Sequence, residues 1–304
     1  MHCRHKASPT HEKRFISEDT LAKVLKKLEE LGCNSIHIEG GEPFLFPNEL
    51  LRTVKQINEG NILLEHIVTN CSWYKNKKDT TELLRELQKN GLRRLVLEVS
   101  PFQNIAIPLK KVQNIAKIAE NLGINIIIWD IECYPEVAQF DTSKTHTLKK
   151  YVKKYGEEYM SNLAQRFNLT FSGRTFSAFE KHLPNINTNE ILRKSQGCGN
   201  EMMSHHHFHV DLNGNFTFPL TQGLSLNIED VGKPIDKKKY PFVSLLYNEG
   251  VIGLYKFAKQ KHNFKEQSDY LSKCHLCYDI RSYLVKDVGI DSPDLQPKEF
   301  YIMD

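Results

Sequence analysis

The chain has 304 residues, of which 40% are hydrophobic and 26% charged, with a net charge of +4. That length can bury one large core or two modest ones, and no apolar run approaches the roughly 20 residues needed to cross a bilayer. The N-terminus carries no apolar secretory stretch, so a cytoplasmic location is the expectation, without a membrane partner. Lysines gather in pairs (Lys110-Lys111, Lys149-Lys150, Lys153-Lys154) and in the triplet Lys237-Lys238-Lys239, which read as solvated faces. A nucleic-acid groove would need a longer basic stripe interleaved with aromatics, so no nucleic-acid partner is expected.

In chain order, residues 17–31 predict a helix. Ser17 is its cap, Glu18 and Asp19 suit its positive end, and Leu21, Val24, Leu25, Leu28 and Leu31 form one apolar stripe ending at Gly32. Residues 35–39 predict a strand running into Gly40-Gly41-Glu42-Pro43. The cycle repeats: helix 48–58 and strand 62–69, helix 80–90 and strand 95–99, helix 108–122 and strand 124–129. A basic helix over 145–165 and a short strand over 169–171 follow. Strands alternating with helices of this length imply right-handed crossovers and a parallel sheet. The continuous run Ile126-Ile127-Ile128 suits burial on both faces, and Trp129 suits a core or wall position. From about residue 175 the rhythm gives way to longer loops and a histidine-rich strand over 205–212. The expected division is therefore 1–174, a βα core, and 175–304, a small irregular C-terminal module.

Parallel α/β sheets place ligands at the carboxyl ends of their strands. Gly40, Gly41 and Glu42, then Thr69 and Asn70, then Ser100 lie there, although glycines after a strand also serve plain turns. Seven cysteines, an odd number, argue against a disulfide framework. Cys274 and Cys277 have metal-ligand spacing, and Cys198 between two glycines is a third candidate. His207 and His209 share one face of their strand by period-two spacing. Three cysteines and one histidine would satisfy tetrahedral zinc, or a cluster lacking one thiolate. Cys33, Cys71 and Cys133 have no partner at such spacing and read as packing residues.

Cys3-Arg4-His5-Lys6, a helix, and then Ile38-Glu39-Gly40-Gly41-Glu42-Pro43-Phe44-Leu45 resemble the opening of radical SAM enzymes. Val68-Thr69-Asn70 and Ser100 close the following strands as in that family. Ser100-Pro101-Phe102-Gln103-Asn104, Ile107-Pro108-Leu109 and His207-Phe208-His209-Val210-Asp211 resemble a subgroup with a C-terminal cysteine-bearing extension. The resemblance implies an α/β fold, a partial (βα)6 barrel lacking its first strand. It also implies a 4Fe–4S cluster and S-adenosylmethionine, a deoxyadenosyl radical, a small-molecule or peptide substrate, and a reductant such as flavodoxin or ferredoxin. Gly40, Gly41 and Glu42 would receive the methionine amino group, with Thr69, Asn70 and Ser100 as wall contacts. Cys3 falls on the second motif cysteine and Lys6 on the third, which places the first cysteine and first strand upstream of Met1. Lysine is a poor iron ligand near neutral pH. A non-catalytic descendant that keeps the barrel to bind a ligand or partner is therefore the alternative. Relatives often carry an auxiliary-cluster cysteine near the position where Thr221 stands.

Overall fold

The computed structural model describes residues 3, 5–8, 11–166, 171–202, 207–219 and 221–302. It groups the chain into two compact units, residues 17–159 and residues 1–16 with 160–304. The division thus falls at 159/160, whereas the sequence suggested 174/175, and the N-terminal segment groups with the C-terminal half.

The unit 17–159 is built on a four-stranded parallel sheet in the order β1 (Ser35–Ile38), β2 (Leu63–Thr69), β3 (Arg94–Glu98), β4 (Asn125–Trp129). Helices α1 (Glu18–Glu30), α2 (Pro47–Asn58), α3 (Lys77–Lys89) and α5 (Leu109–Asn121) separate the strands, and the one-turn α4 (Pro101–Asn104) follows β3. Each long helix buries one stripe. In α1 it is Leu21, Val24 and Leu28, started by the Ser17 hydroxyl, which accepts the Thr20 amide at 3.1 Å. β2 and β3 bury Ile67, Leu95 and Leu97 completely, as expected for inner strands of a parallel sheet.

β4 departs from expectation. Ile127 is 46% exposed and Trp129 49%, so neither is core. β4 is the edge of this sheet, and no described strand of the unit lies beyond it. Of the strand expected at 169–171, Leu169 and Thr170 lie outside the described residues, and Phe171 is in no strand. The sheet is α/β and parallel as expected; within this unit it is open. The helix expected over 145–165 is broken. After α6 (Tyr134–Ala138), α7 (Leu148–Tyr155) stops at Gly156, φ +100°, and α8 (Tyr159–Arg166) begins anew.

In the other unit, α9 (Arg174–Phe179) precedes β5 (Ile186–Asn187), α10 (Thr188–Lys194) and α11 (Gly199–Met202). A three-stranded antiparallel meander follows: β6 (His209–Val210), β7 (Asn215–Thr217) and β8 (Ser225–Asn227). The strand expected over 205–212 is thus described only at His209–Val210; residues 205 and 206 lie outside the described set. α12 (Pro241–His262) then packs on α13 (Lys273–Lys286), with β9 (Asp269–Tyr270) pairing with β5 and α14 (Glu299–Ile302) closing the chain. The fully buried Asp294 starts α12, its Oδ2 accepting the Phe242 and Val243 amides at 2.7 and 2.8 Å. Among the described residues no helix is long and apolar enough to cross a membrane.

Candidate functional site

Two places gather the residues that chemistry would need, one in each unit. The first is the carboxyl edge of the parallel sheet. Gly40, at φ +151°, turns the chain after β1, and Glu42 caps the short 3-10 turn Pro43–Leu45 by accepting the Phe44 amide at 3.2 Å. Glu42 also accepts the Thr69 hydroxyl, 2.9 Å from both carboxyl oxygens, and the Asn70 amide at 2.8 Å. Thr69 in turn accepts the Trp73 indole N–H at 2.9 Å and the Cys71 amide at 3.0 Å. Trp73 lies flat on Phe44, ring centroids 4.4 Å apart. The ends of β1 and β2 are therefore joined through one buried carboxyl.

Burial raises Glu42 to about 7, against the opposing pull of its Asn70, Phe44 and Thr69 donors. Two further carboxyls of the same edge behave alike. Glu98, the last residue of β3, rises to about 7 through burial and the charges of Glu39 and Asp130. Asp130, left-handed at φ +56° just after β4, rises to about 6 through burial and Glu132. Sequence reading missed both, although each stands immediately at a strand end, which is the signal that could have found them. Of the expected residues, Gly40, Gly41, Glu42, Thr69 and Asn70 come together here, with the Asn70 side-chain amide 3.5 Å from the Gly41 carbonyl. Ser100 is buried and accepts the Gln103 amide at 3.3 Å, so it caps α4.

The second place is in the C-terminal unit. Ser272 caps α13 by accepting the His275 amide, so Cys274 sits in the helix's first turn and Cys277 three residues on, along the same face. Cys198 is brought opposite by backbone contact. Its amide donates to the Leu246 carbonyl at 2.9 Å, and a side chain on Gly250 or Gly197 would run into the Gln196 carbonyl at 1.9 Å or the Tyr247 carbonyl at 2.6 Å. Gly250 breaks α12 at φ +67°, which gives the Cys198 loop its room. A cavity of about 20 Å3 results, lined by Cys198, Cys274, Cys277, Thr221 and Lys273 with apolar Met202, Leu246 and Val251. Burial and neighbouring thiols push Cys198 and Cys274 to about 11. The free N–H groups and dipole of a helix start favour a thiolate, so in Cys274 burial outweighs them. The Thr221 hydroxyl is buried without a hydrogen-bond partner.

His207 and His209 do not line this cavity. Their rings meet each other at 4.7 Å, and His5 approaches His209 edge-on at 5.1 Å. Among the described residues Cys33, Cys71 and Cys133 form no disulfide, and Cys71 and Cys133 are fully buried.

The N-terminal motif is also in this unit. The Lys6 side chain is 4% exposed and its amide donates to the Cys3 carbonyl at 3.1 Å. The Arg174 guanidinium ties the loop down through the Ala7 and Lys6 carbonyls at 2.7 and 3.0 Å. Among the described residues one cysteine and a buried lysine stand where three thiolates would be required. They do not form a seat for a four-iron cluster. No family model matches this sequence, and no curated protein matches it.

Proposed function

We propose that this chain is a radical SAM-type protein whose carboxyl edge binds S-adenosylmethionine by its amino-acid end, the four parallel strands belonging to a partial (βα)6 barrel. The observation that carries this reading is Glu42. Its carboxyl is buried and oriented by three donors, yet a carboxylate offers about four lone-pair sites, which leaves capacity for an incoming ammonium. Gly40 and Gly41 beside it are exposed, so backbone there is open to a ligand. Glu98 and Asp130 supply further acceptors suited to hydroxyl groups.

Lys6 favours binding without radical generation by residues 3–8, the non-catalytic alternative. Titration calorimetry on the full chain should show S-adenosylmethionine binding, competed by S-adenosylhomocysteine and weakened at least tenfold by Glu42→Gln. No heat at ligand concentrations well above the protein's would sink the reading. Reductive cleavage of S-adenosylmethionine after anaerobic reconstitution with iron and sulfide would restore the catalytic reading, with its reductant and peptide or small-molecule substrate.

To Cys198, Cys274 and Cys277 we assign an auxiliary metal centre. A single tetrahedral zinc needs its sulfurs about 3.8 Å apart. Among the described residues these three are not gathered to within 4.8 Å of one another. Three thiolates serve either a single ion or a cluster lacking one thiolate, with the partnerless Thr221 hydroxyl at the side lacking a thiolate. Metal and sulfide analysis of the purified chain should show iron that Cys274→Ser removes.

A further inference from the structure

We propose that Arg281 is the built-in counter-charge of this sulfur centre: a buried guanidinium that makes the cavity require one net negative charge. The inference rests on the assignment of a metal centre to Cys198, Cys274 and Cys277, and it concerns what holds that centre's charge.

Arg281 lies four residues beyond Cys277 on α13, hence one turn further on the same face. It is 2% exposed. Its Nη1 donates to the Gln222 carbonyl at 3.0 Å and to the Tyr301 hydroxyl at 2.6 Å, and the neighbouring Cys277 side chain favours its charged form. The Tyr301 hydroxyl in turn donates a hydrogen bond to the Gly223 carbonyl, so Arg281 also fixes the turn carrying Thr221. Nε has no hydrogen-bond partner, and among the described residues no carboxylate pairs with this guanidinium. The acceptors around it are neutral carbonyls, a phenol and a thiol.

A buried ion left without a counter-ion costs several kcal/mol, and arginine cannot escape by losing its proton. The three thiols offer the missing charge. Protonated, they leave Arg281 uncompensated. When all three ligate a doubly positive core, whether a divalent ion or a resting four-iron cluster, the centre carries one negative charge, which a single guanidinium balances. A hydrogen bond from a cation to a ligand sulfur would also raise the centre's reduction potential.

The test is a sign change. Arg281→Met and Arg281→Gln are prepared in the full chain, with Arg281→Lys keeping the charge. Each is unfolded by urea with iron and sulfide loaded, with zinc alone, and after exhaustive chelation. Expected are a lower midpoint than wild type for Met and Gln in the loaded form, and an equal or higher one in the chelated form. Metal retention should fall at least tenfold in both and largely recover in Lys. If Met and Gln lower the midpoint equally with and without metal, Arg281 merely braces the Thr221–Gly223 turn and the proposal is overturned. A wild-type chain that retains neither iron nor zinc overturns the metal assignment itself, and is told apart because no variant is then needed. Recovery with zinc but not with iron and sulfide retains the counter-charge and reassigns the metal.

Discussion

The two candidate sites are opposites in charge. At the carboxyl edge, burial forces three acidic groups, Glu42, Glu98 and Asp130, towards neutrality, and an added cation would relieve them. Beside the cysteine cavity lies a buried cation, Arg281, one turn beyond Cys277, and an added anionic centre would relieve it. They also differ in how they are held. Glu42 is set by hydrogen bonds from side chains and amides within 28 residues of it, whereas Cys198 is set by backbone proximity to α12 at Leu246 and Gly250. A site made by hydrogen bonds degrades by degrees. One made by close backbone approach is lost at a single added methyl group.

The largest effect expected is therefore from Gly250→Ala. A Cβ there meets the Gln196 carbonyl at 1.9 Å in a left-handed conformation, so a loss of about 3 kcal/mol or more is expected, with loss of bound metal. Chemical denaturation and metal analysis check it, and wild-type midpoints would show that the loop has another way to close. Next is Glu42→Gln. Removing one charge-assisted contact worth about 1.5–3 kcal/mol should weaken S-adenosylmethionine roughly 10- to 150-fold while leaving metal content unchanged.

The pH dependences should run as follows. An ammonium needs Glu42 ionised, so S-adenosylmethionine affinity should fall about tenfold per unit below pH 7, a slope that Glu42→Gln abolishes. The stability effect has the opposite sense. Because folding raises the pKa of Glu42 from 4.5 to about 7, its contribution is fully present below pH 4.5 and is lost as pH rises to 7. Metal uptake should strengthen with pH, because thiols near 11 must lose their protons to bind. The smallest effect is Thr69→Val. It removes the hydroxyl between Glu42 and Trp73 and should weaken ligand binding by about 1 kcal/mol, or some fivefold.

The parallel sheet was legible in the sequence because its signals are local. The helix stripe of α1, the glycine stops and the apolar strands place β1 to β4 to within a residue or so. Burial was less legible. Ile126-Ile127-Ile128 reads as an inner strand, but its exposure depends on whether another strand lies beside β4. Gly40 to Glu42 could be marked because strand ends are where such sheets bind. Glu98 and Asp130 stand at strand ends too and could have been marked by the same rule; what the sequence does not show is the burial that raises both. The Cys274–Cys277 pair announces itself by spacing. That Cys198 and Thr221 join it, while His207 and His209 do not, depends on contacts between residues 50 or more positions apart.

Trp73 has a practical consequence. The chain has two tryptophans, and Trp129 is the solvent-facing one. With Trp129→Phe, the remaining indole is stacked on Phe44 and bonded to the hydroxyl that also holds Glu42. Its emission colour and intensity then become an intrinsic optical gauge of the carboxyl edge, readable in stopped flow without any label.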